Sequence, residues 1–98
     1  MKVENMTDIN GNKVANQFVI TDYYDSVCRE TFQSHNSVIA IKTVNSNNAN
    51  ARVIVSLDRN KWDHSTTIGK YRNLFLGETK RETQKKIDSG EYILADLN

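Results

Sequence analysis

Asp63-His64-Ser65 sets the residue types of a hydrolase triad in three consecutive positions. Neighbours along a chain cannot present nucleophile, base and orienting acid to one another, so the segment reads as a loop in which Ser65 or Thr66 caps the helix that follows. Cys28 with His35 or His64 supplies the types of a thiolate–imidazole pair. One cysteine and two histidines without a supporting motif fit a half-buried strand cysteine better, and they fall short of the roughly four ligands of a structural zinc site. Gly69-Lys70 lacks the first glycine of a phosphate-cradling loop, and Ile68-Gly69 reads as a close helix–sheet contact. Asp22 and Asp25, on either side of Tyr23-Tyr24, decorate a hairpin loop rather than form a catalytic pair. No catalytic residue, metal or other cofactor is expected, and the chain reads as non-enzymatic.

The feature with a functional reading is charge. Residues 1–58 carry five Lys/Arg against six Asp/Glu, residues 59–86 eight against three, and residues 87–98 none against three, for local balances of −1, +5 and −3. Arg59, Lys61, Lys70, Arg72, Lys80, Arg81, Lys85 and Lys86 could line a phosphate-facing surface, with Trp62 or Tyr71 as a stacking neighbour. At about 100° per residue Lys70 and Arg72 flank the apolar stripe of one helix on opposite sides, so they make no patch by themselves. Arg81 and Lys85 share a ridge one turn apart, and Glu82 with Lys86 has the spacing of a favourable helical pair. The plain alternative is a solvated helix face. Tyr23 and Tyr24 form a second candidate contact loop.

These residues need elements to position them. Asn10-Gly11-Asn12 is a strong turn, because Asn and Gly accept positive φ at low cost. Gln17–Thr21 reads as a strand; Val27–Ser34, with neither face wholly apolar, as an edge or exposed strand; Ser37–Val44, a continuous apolar run, as a central strand; and Ala51–Leu57 as a further one. Short polar connections, including the loop over 45–50, make these an antiparallel meander. Ile68, Tyr71, Leu74 and Phe75 then fall on one stripe about 120° wide, with Gly77 placed to end the helix. Thr79-Lys80-Arg81-Glu82 is a capping box opening a second helix, which has only Ile87 and Thr83 to bury. Glu91–Leu97 reads as a final strand or docked extended segment.

The expectation is one α+β domain over 1–98: a mainly antiparallel sheet of four to five strands, one packed amphipathic helix and one short basic surface helix. Its expected core is Phe18, Ile20, Val38, Ile39, Ile41, Val53, Val55, Leu57, Ile68, Tyr71, Leu74, Phe75, Tyr92 and Leu94. No run approaches the roughly 18 apolar residues of a membrane span, and a lone cysteine suits a reducing compartment, so cytoplasmic residence is expected.

At Asn10–Phe18, Phe32-Gln33-Ser34, Trp62-Asp63, Lys70–Gly77 and Ser89-Gly90-Glu91-Tyr92, the chain resembles a family of small, largely uncharacterised proteins of bacteriophages and mobile elements in Gram-positive bacteria. The resemblance brings no activity or catalytic residue with it. It implies action by binding, to nucleic acid or to a host nucleoprotein or defence protein, with anti-CRISPR-like inhibition among the options. The rival expectation is a structural or homo-oligomeric module that pairs through strand 27–34 and binds no nucleic acid.

Overall fold

A computed structural model describes residues 1–45 and 52–98. The strands β1 (Lys2–Thr7), β2 (Lys13–Tyr24), β3 (Val27–Ser34), β4 (Ser37–Asn45) and β5 (Arg52–Asp58) are followed by helices α1 (Thr66–Leu76) and α2 (Lys80–Asp88) and by β6 (Tyr92–Ala95). All six strands join one sheet in sequence order, antiparallel throughout except for the parallel pair β5–β6. That exception follows from connectivity. Two-residue turns reverse the chain from β2 to β3 and from β3 to β4, and a five-residue turn does so from β1 to β2, whereas the two helices after β5 return it to the same end of the sheet.

The α+β class is as expected, but the sheet has six strands rather than four or five. The additional strand is β1, whose sequence Lys-Val-Glu-Asn-Met-Thr shows no alternating apolar signal. It is fixed instead by its ladder to β2 and by the turn between them, where the Asp8 carboxylate accepts from the amides of Asn10 and Asn12 at 2.9 Å. With β1 at the margin, strand 27–34 is not an edge: β3 sits between β2 and β4, and Phe32 is fully buried. Of the expected polar loop over 45–50, Asn45 ends β4 instead, and residues 46–50, with Ala51, lie outside the described residues.

Both helices lie on one face. Phe32, Ala40, Val55, Leu57 and Tyr92 of the sheet, with Ile39, pack against Ile68, Tyr71 and Phe75 of α1, and the Phe32 and Phe75 rings stand 5.9 Å apart. Ser65 caps α1, accepting from the Ile68 amide, and Gly77 closes it in the left-handed region at φ 69°. The capping box of α2 is formed on both sides by Thr79 and Glu82. Beneath it Thr83 is fully buried and Ile87 meets the core.

The core is narrower than expected. Leu74, at the far side of the α1 stripe, is 56% exposed because the helix covers β3 and β4 and leaves the β1–β2 side open. Val53 lies beyond the reach of the helices and is equally exposed. Phe18, Ile20 and Ile41 are only half-buried, on the face opposite the helices. Phe32→Ala should therefore lower the unfolding free energy by about 3–5 kcal/mol. Leu74→Ala should stay within about 0.5 kcal/mol of wild type, both read from urea denaturation.

Candidate interaction surfaces

The basic segment folds back on its own acids. Arg72 is 1% exposed. Its guanidinium donates to the Trp62 carbonyl at 2.6 Å, to Asn73 Oδ1 at 2.9 Å and more weakly to Asp63 Oδ1 at 3.4 Å, and it lies 5.1 Å from the centre of the Trp62 ring. The other Asp63 oxygen holds Lys80 at 2.7 Å. The Lys80 hydrogen bond, aided by Arg72, keeps the Asp63 carboxyl below the usual carboxylate range against a smaller cost of burial. This node ties the loop before α1 to both helices. A buried charge needs such partners, since leaving it unpaired costs far more than the pairing gains.

A second node gathers on Glu78, between the helices. Its carboxylate accepts from Thr83 Oγ1 at 2.6 Å, from Lys86 Nζ at 3.0 Å and from the Tyr92 hydroxyl. Burial pushes the Glu78 carboxyl up, but these three donors outweigh it and hold the group below its ordinary value. Lys86 also stands 5.3 Å over the Tyr92 ring, so the expected Glu82–Lys86 pair does not form: Glu82 is occupied at the cap and Lys86 by Glu78.

The nine predicted contact residues are thereby dispersed. Arg72 is a buried structural cation and not a contact residue, and Trp62 is half-buried beneath it. Lys80 and Lys86 are paired, and Arg59 stands 3.9 Å from Asp96. Lys61 reaches across to Ser37 Oγ at 2.7 Å, and Lys70 lies 5.5 Å from the Tyr71 ring. Arg81 and Lys85 remain exposed on α2, without an ion pair among the described residues. Tyr23 and Tyr24 are both exposed at the β2–β3 hairpin, on opposite faces of the strand, and the Tyr24 hydroxyl accepts from Arg29 at 3.3 Å. Cys28 begins β3 and His35 follows its end, roughly 23 Å along the strand, so these two form no nucleophile–base pair. Between α1 and the β1–β2 hairpin an open groove of about 1270 Å³ carries both signs of charge, from Glu4, Glu30 and Asp63 to Lys70 and Lys80.

The surface that residue-by-residue reading missed is the outer face of the sheet. Val3, Ile20, Thr31, Ile41, Ser56 and Ile93 are successive partners across all six strands, and they form one uncharged row on the side away from the helices. Phe18 with Val38, and Thr43 with Ile54, lie in the rows on either side. The charged residues in these three rows are Asp22 and Arg29, 3.6 Å apart and paired with each other, and Asp58, opposite Ala95, which is 3% exposed with its carboxylate accepting from the Leu97 and Asn60 amides. The signal was present in Phe18-Val19-Ile20, Val38-Ile39-Ala40-Ile41 and Val53-Ile54-Val55, which are apolar at both parities and so demand cover on both faces.

The chain matches no protein-family model, no curated protein and no solved structure, so no family is available to fix the use of these surfaces. No helix among the described residues is long and apolar enough to cross a membrane.

Burial, and then Glu78, hold the Tyr92 hydroxyl protonated, pushed up to about 12 from an ordinary 10.0. The folded value is the higher one, so this contribution to stability is complete below about pH 10 and is lost as the pH rises toward 12. Thermal melts of wild type should decline across that window more steeply than melts of Tyr92→Phe. The tyrosinate absorbance step missing from the variant should be the one centred near 12.

Proposed function

We propose that the chain is a small non-enzymatic binding protein, of the kind phages and mobile elements encode, and that it acts by docking protein on the open face of its sheet. The observation that carries this is the uncharged row from Val3 to Ile93, with Val3 and Ile93 at least half exposed. Monomeric proteins rarely present a contiguous apolar surface of this kind to water, and such patches mark interaction sites. Antiparallel sheets that face solvent normally alternate polar residues outward, and this sheet departs from that rule in every strand but β3, which turns Arg29, Thr31 and Gln33 outward.

Nucleic acid is the second reading, favoured by Arg81 and Lys85 on one ridge of α2. The internal pairing of Arg72, Lys80 and Lys86 takes up acids already counted in the +5 balance of segment 59–86, and the cations left over, Arg59, Lys61, Lys70, Arg81 and Lys85, are dispersed, with only the last two sharing a ridge. A protein that makes about two phosphate contacts gains little from counterion release.

Wild type should pass unretained over duplex DNA and single-stranded RNA at about 50 mM salt, where phosphate contacts are strongest. Retention that disappears on raising the salt and in Arg81→Glu/Lys85→Glu would replace the protein-docking reading with the nucleic-acid one.

A further inference from the structure

We infer that the occupant of the open face is a second copy of this chain, two copies packing sheet against sheet about a two-fold axis; this rests on the protein-docking reading above. The first ground is the relief of the face. Along the central row large and small side chains alternate, Ile20–Thr31–Ile41–Ser56–Ile93. The half-buried Ser56 is therefore a hollow between ridges of isoleucine, and Thr31, 8% exposed, is a shallower step largely closed by its neighbours. A layer built this way receives the ridges of a facing layer in its hollows, and a copy of itself supplies them. Aligned sheets pack about 10 Å apart through such interdigitated β-branched side chains.

Charge points the same way. In a two-fold interface each patch meets itself, so any net charge on it would meet its like. Here Asp22 and Arg29 cancel within one copy, and the other charged residue of the three rows, Asp58, is 3% exposed with its carboxylate taken up by the Leu97 and Asn60 amides, so the surface presents no net charge. A face with no net charge has no means of steering or selecting a charged partner, and it costs nothing against its own image.

Size is sufficient. Six strands about 4.8 Å apart, with three rows of side chains, make a face of roughly 500 Å². Two copies then cover roughly 1,000 Å², the threshold for a specific interface, which places the dissociation constant in a range set by concentration rather than making the pair obligate. Edge pairing is the competing route to a dimer, through the exposed backbone of β1.

Sedimentation equilibrium from about 1 to 200 μM should show the apparent mass rising from 11.2 kDa toward twice that value. Ile41→Lys, at the centre of the row, should weaken association at least tenfold with an unchanged far-ultraviolet dichroism spectrum. Should Ile41→Lys fail to fold, Ser56→Arg places a charge in a hollow of the outer face without touching the helix-side core, and it should have the same effect. A dimer that persists unchanged in the folded variants would overturn the face and leave β1 edge pairing in its place. A wild type that stays monomeric throughout would overturn self-association. In that event, a complex with another protein that Ile41→Lys abolishes would preserve the docking reading, whereas a complex indifferent to Ile41→Lys would sink both.

Discussion

Two short helices can cover only one face of a six-stranded sheet, and most of this structure follows from that constraint. Helix α1 has 11 residues and α2 has 9, so together they extend about 30 Å at 1.5 Å per residue. Laid on one side they seal the middle of the sheet and little else. Phe32, Ala40 and Leu57 beneath them are fully buried, while Leu74 on the same helix as Phe75 is left facing the uncovered β1–β2 flank. The other side of the sheet receives no helix, and only the C-terminal Leu97 and Asn98 reach it, at Asp58 and Val38. Its apolar side chains stay half-buried by one another rather than by a second layer.

A core this thin cannot hold two helices by apolar contact alone, and polar nodes supply the rest. α2 offers Ile87 and the buried Thr83 to the interior, and otherwise carries charged and polar residues. It is held at its start by Lys80 on Asp63 and along its inner side by Thr83 and Lys86 on Glu78, which also takes the Tyr92 hydroxyl of β6. Arg72 does the corresponding work for the loop before α1, clamping the Trp62 carbonyl while its plane rests on the indole. Such buried ionic groups add little net stability compared with apolar isosteres. Their effect is directional: each fixes the angle and register of a short helix that the apolar stripe by itself would leave free to slide.

The same economy explains what the sequence disclosed and what it hid. Local signals were legible: Ser65 and Gly77 bound α1, Thr79 and Glu82 form their box, and Asn10-Gly11-Asn12 lies in a turn, although the strand that leads into it was not expected. Ile68, Tyr71 and Phe75 form the buried stripe for the reason their spacing gives. Hidden were the features decided by partners far away in sequence. β1 has no periodicity of its own and becomes a strand only because β2 offers it a ladder, and that displaces β3 from the edge. Arg72, placed by helical geometry at the border of the stripe, turns inward because Trp62, Asp63 and Asn73 converge on it. Counting cations along residues 59–86 could not show that Asp63 and Glu78, inside the same segment, would take three of them.

The outer face also bears on how the chain distributes its charge. A quarter of its residues are charged, 26% by count. Yet the central row across six strands has none, and the rows beside it hold one cancelling pair and the buried Asp58. A surface selected for water would place Lys or Glu at Ile41 or Ser56, where substitution disturbs nothing in the helix-side core. Polar outward residues are also the usual defence of a sheet against association. The chain instead puts hydroxyls there, Thr31 and Ser56, which suit strands, tolerate burial when hydrogen-bonded and leave room for a neighbour's side chain. The charge that would keep this face apart from others has been moved to the helices, where much of it is bound in Asp63 and Glu78. Helix-side packing and outer-face composition therefore express one arrangement, in which ionic groups fix the helices on one layer and the opposite face of the sheet keeps its apolar side chains without a second layer of helices.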